Sequence, residues 1–210
     1  MKVTKKTPRQ ISRELALLGI SQMPTKAAQL EKKKLEEMVL AAVRTLTMEA
    51  DEALVTAGEE VQKASDLLLR SQLSATDINS ARTMVYEAIE LSQTAINGIG
   101  SAVELPELIH LSNQPEVRSY AIEIMTKVNG NKAEIDKLLD TSMVDWQLNR
   151  LPQIECDILR MAVAEMLYLG LPEKVAINEA VKLAKRYSGE EGSRFINGVL
   201  ARVLEKVVNC

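Results

Sequence analysis

The 210-residue chain has few aromatic residues and very few histidines and cysteines, which are common in metal and catalytic sites. Aromatic residues make up 3% of the sequence, and the chain has one histidine and two cysteines. Because alanine, leucine, glutamate and lysine are abundant instead, this composition favours helices over a β-sheet. Cys156 and Cys210 have no CxxC spacing and only His110 as a further soft ligand. A zinc site is therefore not expected.

The sequence also lacks the motifs of common enzymes and nucleotide-binding folds. It contains no GxxxxGK[ST] loop and no GxGxxG turn after a strand, and it has no GxSxG, HExxH or paired Cys/His cluster. We therefore expect a protein that is not an enzyme and that holds no cofactor and no metal. No apolar run reaches membrane-spanning length, and no signal-peptide core follows the basic N-terminus. These absences predict a soluble cytoplasmic protein with no membrane partner.

The net charge of −3 argues against a uniformly basic nucleic-acid binder, but phosphate contacts are local and a local patch is enough. One such patch is at the N-terminus, where four cations fall within nine residues: Lys5, Lys6, Arg9 and Arg13. The segment Thr7–Gln10 predicts a helix start there, with threonine as cap, proline at the first position and Gln10 completing a capping box. Considered alone, these four cations could bind a phosphate backbone, or they could belong to a solvated end of the helix.

Residues 26–72 predict a long helix whose apolar residues step by threes and fours, which is the spacing of a coiled-coil seam. The seam is rich in alanine, and Gly58 is the expected point of a kink. Ser74–Asp77 predicts the cap of a second helix that ends near Gly98. The two helices are expected to form an antiparallel hairpin, followed by a looser connection up to Gln114. The predicted seam of the first helix consists of Leu35, Val39, Ala42, Leu46, Ala50, Ala53, Ala57, Val61, Ala64 and Leu68.

The C-terminal half predicts five further helices. Pro115 opens one that closes at Asn129–Asn131 through a left-handed cap, and a short helix follows over Ala133–Asp140. Residues 152–204 form three amphipathic helices, with prolines at the first two starts. Within them Arg160 lies in an apolar helix, where a buried arginine often pairs with a carboxylate such as Glu165 or Glu179.

The two large aromatic residues of this half allow different interpretations. Trp146 is the single tryptophan, and we interpret it as a core anchor and not as a stacking platform. Phe195 lies on an apolar helical stripe, which favours a core position. It also follows Arg194, and an exposed ring there could stack on an unpaired base.

The closing segment carries a family signature. ILRMAVAEMLY followed by PEKVAINEAVKLAKRYSGEEGSRFINGVLARVLE resembles the NusB family of bacterial transcription antitermination factors. The matching positions include Leu159-Arg160, Glu165, Pro172, Lys174–Val181, Lys185, Glu190-Glu191 and Arg194–Leu200. The first helix, RQISRELALLGISQ, is similar to the family's opening helix, whereas residues 24–112 match poorly and make the chain longer than usual, as in cyanobacterial or plastid-like members.

The resemblance implies an all-α fold of two small packed helical subdomains, with the hairpin inserted after the first helix. The expected parts of this single domain are residues 1–22 (basic arm and first helix), 23–112 (hairpin insertion) and 113–210 (NusB-like region). The implied function is binding of boxA-type single-stranded RNA in nascent ribosomal RNA transcripts, together with ribosomal protein NusE and an antitermination complex on RNA polymerase.

The family's contact positions can be carried over residue by residue. The resemblance implies RNA contacts by Lys5, Lys6, Arg9, Arg13, Arg160, Glu191, Arg194 and Phe195. It implies a contact with NusE by Glu155. Gln10 and Ile11 replace arginines of a denser cluster in the family, and Ser21 stands where an aromatic residue is common. Both departures are expected to weaken RNA binding.

The sequence is also compatible with two other functions. The chain could be a protein-interaction module of the same fold without specific RNA binding, with the hairpin docking polymerase, a ribosomal protein or a second copy as a homodimer. It could also resemble the NusB-like appendage of RNA cytosine methyltransferases, although it has no glycine-rich cofactor loop.

Overall fold

The computed structural model describes residues 6–23, 32–103, 105–143 and 146–208. In these ranges every regular element is helical, which confirms the all-α prediction. The α-helices are α1 Pro8–Ser21, α2 Lys32–Leu73, α3 Ile78–Val103, α4 Leu105–Ser112, α5 Pro115–Gly130, α6 Lys132–Ser142, α7 Gln153–Tyr168, α8 Glu173–Tyr187 and α9 Gly189–Val208, with a 3-10 turn at Leu148–Arg150. None of the helices in the described part of the chain is both long and apolar enough to cross a membrane.

The chain forms two compact units. The described residues up to Ala42 and from Leu111 onward make one unit, and Val43–His110 makes the other. The predicted division at 1–22, 23–112 and 113–210 within a single domain stays a prediction.

Helix α7 lies at the centre of the larger unit. It packs against α1, α5, α6, α8 and α9. All eleven residues from Glu155 to Glu165 are buried, including four charged ones, so this helix has no solvent face over three turns. Buried charges are tolerated only when other groups pair with them, so α7 requires partners from its neighbours.

Helix α1 begins with the predicted capping box. The Thr7 hydroxyl accepts a hydrogen bond from the Gln10 amide at 3.3 Å, and the Gln10 side chain accepts one from the Thr7 amide at 3.0 Å. These bonds satisfy two amides that the helix itself leaves unpaired. The helix then packs on α5 and α7, and its end at Ser21 agrees with the prediction.

The smaller unit is an antiparallel hairpin of α2 and α3, joined along an alanine seam. Ala57 and Ala64 on α2 and Ala88 and Ala95 on α3 are at most 3% exposed. A Cβ atom placed on Gly98 would lie 3.4 Å from the Cβ of Ala57, so the two backbones approach closely there. Helix α2 runs through Gly58 as one helix from Lys32 to Leu73, while the predicted start at residues 26–31 lies outside the described residues.

Parts of the predicted hairpin were wrong. Val61 and Leu68 are about half exposed, because the seam passes instead through the half-buried Glu60 and Leu67. The spacing of apolar residues in the sequence does not distinguish a position in the seam from the position beside it. Asp77 caps α3 as expected, accepting from the amides of Asn79 at 2.8 Å and Ser80 at 2.9 Å.

Two predicted helix ends were also wrong. Helix α3 continues past Gly98 to Val103, and this extension together with α4 occupies most of the segment predicted as a looser connection. Asn131, which ends α5, has φ −119° and does not form a left-handed cap. Positive φ angles occur instead at Gly170, after α7, and at Gly189, where α9 begins.

The alanine seam predicts a large penalty for a larger side chain at Ala95. Ala95→Leu should lower the free energy of unfolding by about 1–3 kcal/mol, because the added methyl groups separate α3 from α2. The matched control is Thr94→Leu, one residue earlier and exposed, which should change stability by no more than about 0.5 kcal/mol. Urea unfolding followed by circular dichroism measures both. Equal stability of the two variants would contradict the seam.

Candidate nucleic-acid interface

The start of α1 presents an exposed arginine that is held over an aromatic ring. The guanidinium carbon of Arg9 lies 3.6 Å from the ring centroid of Tyr120 on α5. This cation–π contact orients the planar guanidinium while Arg9 remains exposed. Lys6 donates to Glu14 at 2.8 Å, whereas Lys5 lies outside the described residues. Of the predicted arm residues in the described chain, Arg9 is therefore the best placed for an external anion.

Arg13 is buried and holds α1 against α7. Its Nε donates to both carboxylate oxygens of Glu165 at 2.9 and 3.0 Å, and its Nη1 lies 3.6 Å from Glu179 on α8. The Tyr120 hydroxyl donates to the same Glu165 carboxylate at 2.6 Å. Burial is the largest single effect on Arg13 and lowers its pKa, but the hydrogen bond to Glu165 and the charges of Glu165, Tyr120 and Glu179 together outweigh it, so the pKa of Arg13 is raised. Burial and the bond to Glu165 raise the pKa of Tyr120 to about 12.

Arg160 is also buried, and carboxylates bind it from two helices. It donates to both oxygens of Asp136 on α6, at 2.7 and 3.1 Å, and to Asp157 on α7 at 3.0 Å. The expectation of a carboxylate partner is confirmed, but the expected partners were wrong, since Glu165 and Glu179 hold Arg13. The reason is helical geometry: Asp157 is three residues from Arg160 and shares its face, while Glu165 is five residues away.

Helices α1 and α7 run antiparallel. Arg13 meets Glu165 near one end of the pair, and the Ser21 hydroxyl lies 3.3 Å from Asp157 near the other. Ser21, the position where the resemblance led us to expect an aromatic residue, thus binds a buried carboxylate of α7. Because Glu155 and Glu165 are ten residues apart on α7, they are separated by about 15 Å along the helix axis.

The turn between α8 and α9 is fixed by Glu155. Its side chain is 8% exposed and accepts a hydrogen bond from the Ser188 hydroxyl. A Cβ atom on Gly192 would lie 2.7 Å from the Ser188 Cβ and 2.8 Å from Glu155 Oε1, so no other residue fits at this position. The predicted contact of Glu155 with a protein partner stays a prediction. Its role in this structure is to hold the turn that begins α9.

The first half of α9 carries an exposed aromatic and cationic surface. Glu191 and Arg194 are exposed, and Phe195 is half-buried. The rings of Phe195 and Trp146 are in edge-to-face contact, with centroids 6.1 Å apart and planes at 67°. Trp146 is 55% exposed, so its interpretation as a core anchor was wrong. Leu148, 4% exposed in the following 3-10 turn, fills the core instead.

The predicted residues thus form two groups. Lys6, Arg9 and Arg13 lie at the Glu165 end of α7, while Glu191, Arg194 and Phe195 follow the turn held by Glu155 at the other end. Arg160 joins neither group, because it faces α6. We define these groups as the arm patch (Lys6, Arg9, Arg13) and the aromatic patch (Trp146, Glu191, Arg194, Phe195).

Sequence reasoning missed Trp146 in the aromatic patch and the residues that surround the arm patch. A cavity of about 370 Å³ adjoins the arm patch, lined by Lys6, Gln10, Arg13, Glu14, Glu179, Lys182, Leu183 and Arg186. Arg186 donates to Glu14 at 2.6 Å and so adds a cation from α8. The run KLAKRY at the end of α8 carried a signal for this cation, but nothing near Tyr120 in the sequence indicated its contact with Arg9. Within the described residues no cluster of acidic, histidine or cysteine side chains could hold a metal ion.

The Tyr120–Glu165 bond predicts a pH-dependent loss of stability. Tyr120→Phe should lower the free energy of unfolding by about 1.5–3 kcal/mol at pH 8, since it removes a hydrogen bond to a buried carboxylate. The folded pKa of about 12 lies above the unfolded value, so this stabilisation is complete below pH 10 and declines as the pH rises toward 12. Urea unfolding at pH 8 and 11 measures the change. Tyr86→Phe, at an exposed tyrosine, is the control; a Tyr120 effect independent of pH would contradict the assignment.

Two solved structures are similar to this chain. One is a chain of the crystal structure of a plectonemic RNA supercoil, with 21% identity, TM-score 0.44, and coverage of 71% of this chain and 94% of that one. The other is T. maritima NusB, with 23% identity, TM-score 0.43, and coverage of 78% and 90%.

Comparison of sequences found relatives with much higher identity to this chain. The NusB family model matches residues 79–205, so the match includes nearly all of α3. The transcription antitermination protein NusB of Trichodesmium erythraeum is 65% identical, covering 97% of this chain and 98% of that protein. The protein of the same name from Gloeothece citriformis is 56% identical, covering 95% and 94%. Relatives of this length therefore share the hairpin region, and the chain belongs to the NusB family of transcription antitermination proteins.

Proposed function

We propose that the chain binds boxA-type single-stranded RNA in nascent ribosomal RNA transcripts, with ribosomal protein NusE, and joins an antitermination complex on RNA polymerase. The observation that carries this proposal is the exposed Trp146 ring, in edge contact with the half-buried Phe195, which directly follows the exposed Arg194. Proteins recognise single-stranded RNA by stacking unpaired bases on aromatic rings and by pairing cations with its phosphates. Family membership supports the same function.

In the aromatic patch each residue has a separate task. The exposed face of Trp146 receives a base, and Phe195 fixes the orientation of that ring through its edge contact. Arg194 binds the adjacent phosphate or stacks on a base through its planar guanidinium. The exposed Glu191, one turn earlier on α9, accepts a hydrogen bond from a base amino group.

In the arm patch Arg9 makes the direct RNA contact, and Lys6 adds positive charge near it. The cavity beside them is lined by four cations, Lys6, Arg13, Lys182 and Arg186, and by two carboxylates. Since Glu165 pairs with Arg13, an excess of one positive charge remains. This local excess attracts phosphate although the chain as a whole is acidic.

The buried arginines act by positioning other residues. Carboxylates occupy the donors of Arg13 and Arg160, and RNA would have to displace those carboxylates at a high desolvation cost. Arg13 keeps α1 in place so that Arg9 is presented, and Arg160 keeps α6 on α7. Glu155 supports the binding of RNA or NusE through the turn that precedes Arg194.

Trp146 provides both a probe and a test of the aromatic patch. As the only tryptophan, it should report boxA RNA binding by quenching of its fluorescence. Trp146→Ala should weaken boxA binding by about 1–3 kcal/mol, the usual loss for one stacked base, when measured by fluorescence anisotropy of labelled RNA. Tyr86→Ala removes an exposed aromatic ring of the hairpin and is the matched control. Unchanged fluorescence together with unchanged affinity of Trp146→Ala would exclude this surface.

The exposed arginine of each patch is tested through the salt dependence of RNA binding. Arg9→Ala and Arg194→Ala should each weaken binding and reduce the slope of log affinity against log salt by about 0.7, the value for one lost phosphate contact on single-stranded RNA. Arg202→Ala, exposed further along α9, should leave the slope unchanged. Arg13→Ala is avoided because it would leave Glu165 buried and unpaired.

The same measurements with NusE test the partner. We expect NusE to tighten binding of the wild-type chain and of Arg202→Ala. If neither the wild-type chain alone nor its mixture with NusE binds boxA RNA above a scrambled RNA, the proposed function is excluded. The alternative, a protein-interaction module without specific RNA binding, would then account for the exposed apolar residues of the hairpin.

A further inference from the structure

Helix α8 carries two exposed cations that were not among the predicted RNA contacts. Lys182 and Arg186 are one helical turn apart, and their side chains are 61% and 44% exposed. Both line the cavity of about 370 Å³ beside the arm patch, together with Lys6 and Arg13. The cavity therefore has cations on two sides, from α8 and from the residues around the start of α1.

A shared carboxylate holds Lys6 and Arg186 close together. Lys6 Nζ lies 2.8 Å and Arg186 Nη1 lies 2.6 Å from the same oxygen of Glu14. The two nitrogens therefore cannot be farther apart than these two distances laid end to end. Glu14 itself is 4% exposed, whereas Lys6 is partly exposed and Arg186 is exposed. Solvent thus reaches the two cations and not the carboxylate that joins them.

Glu14 does not need both of these cations for its own burial. Lys6 alone donates to both carboxylate oxygens, at 2.8 and 2.9 Å, and one cation neutralises one buried carboxylate. Arg186 brings a second positive charge, and the two like charges repel each other unless an anion lies between them. Because a guanidinium has five N–H donors, Arg186 can bond to Glu14 and to a phosphate at the same time.

The second carboxylate of the cavity is shared in the same way. Glu179 lies 2.5 Å from Lys182 Nζ and 3.6 Å from Arg13 Nη1, and Arg13 also pairs with Glu165. Three carboxylates therefore face four cations around the cavity, which leaves one positive charge in excess. An anion with several oxygens, such as a backbone phosphate, matches cations that are spaced around a common opening.

The cations of α8 lie between the two patches. Glu179 is close to Arg13 of the arm patch, and Ser188, directly after the helix, donates to Glu155, which holds the turn before the aromatic patch. The two exposed cations of α8 come between these contacts in the sequence, and so they also come between them along the helix axis. A path along α8 from one patch to the other therefore passes both cations.

We propose that Lys6 and Arg186 together bind one backbone phosphate of RNA at this cavity, and that Lys182 binds a neighbouring phosphate. This inference rests on the proposed function, because it concerns the same RNA. The strand runs from Arg9 over the end of α8 to Arg194, so the arm patch and the aromatic patch belong to one continuous surface. Proteins commonly bind single-stranded RNA through a positively charged groove that follows the backbone.

The salt dependence of boxA RNA binding by the full-length chain tests the role of α8. Arg186→Gln and Lys182→Gln should each weaken binding about fivefold at about 0.1 M salt and lower the slope of log affinity against log salt by about 0.7, the values for one lost phosphate contact on a single strand. Arg186→Lys keeps the charge and should retain the wild-type slope. Arg202→Gln, the same change at an exposed arginine further along α9, should alter neither quantity.

Uncharged phosphates in the RNA show which part of the strand each arginine contacts. In a set of boxA RNAs, one phosphate at a time is replaced by a neutral methylphosphonate. At the phosphate that Arg186 binds, this replacement should weaken binding to the wild-type chain but cost Arg186→Gln no further affinity. The same scan with Arg9→Ala and Arg194→Ala should place their phosphates on opposite sides of the Arg186 phosphate along the strand.

Inorganic phosphate distinguishes RNA from a free anion as the ligand of this site. Circular dichroism melting is measured at constant ionic strength with chloride or with phosphate. Since Lys6 still pairs with Glu14 in Arg186→Gln, this variant should keep the helical signal of the wild-type chain. If phosphate stabilises the wild-type chain and not Arg186→Gln, while Arg186→Gln binds RNA as tightly as the wild type, the site serves a free anion and the proposal is overturned.

Other outcomes separate this inference from the proposed function. If the wild-type chain binds boxA RNA and both Arg186→Gln and Lys182→Gln keep its affinity and slope, this inference alone is overturned. A phosphate of Arg186 that lies outside the segment between those of Arg9 and Arg194 would also overturn it, because the strand would then follow another path. A wild-type chain that binds no boxA RNA, with or without NusE, would overturn the proposed function together with this inference.

Discussion

The structure of the larger unit depends on the burial of charged residues on α7. Each of the four has a partner. Glu165 pairs with Arg13 and Tyr120, and Arg160 pairs with Asp136 and with Asp157 of α7 itself. Glu155 accepts a hydrogen bond from Ser188. An unpaired charge at any of these positions would cost several kilocalories per mole. Neighbouring helices can therefore pack on α7 only in the register that completes these pairs, whereas apolar contacts alone would tolerate shifts.

This arrangement determines which cations remain available to a ligand. Arg13 and Arg160 were expected to contact RNA, but carboxylates bind both of them, and a buried ion pair is not easily exchanged for a phosphate. Arg9 is one turn from Arg13 and is exposed, because the helix geometry turns it toward Tyr120 and solvent. Of the two arginines of α1, Arg13 thus holds the helix in place while Arg9 stays exposed. Replacing Arg13 would displace Arg9 as well, so loss of binding in such a variant could not be assigned to a lost phosphate contact.

Much of the fold was predictable because it depends on local signals. The capping box at Thr7–Gln10, the prolines before α5, α7 and α8 and the three-four spacing of α2 each act within a few residues. The partners of the buried charges were not predictable, since Arg13 and Glu165 are 152 residues apart and many carboxylates were equally plausible from spacing alone. Trp146 was assigned to the core from residue type, but a neighbouring leucine fills that core, and residue type alone cannot decide between the two.

The hairpin shows in another way why spacing was not sufficient. Residues in the seam and residues beside it recur with almost the same three-four spacing, and Val61 and Leu68 were placed in the seam for that reason. The buried alanines identify the seam, and Val61 and Leu68 lie beside it, about half exposed. Because small and large apolar residues follow the same periodicity, only the packing of the two helices decides which of them face each other.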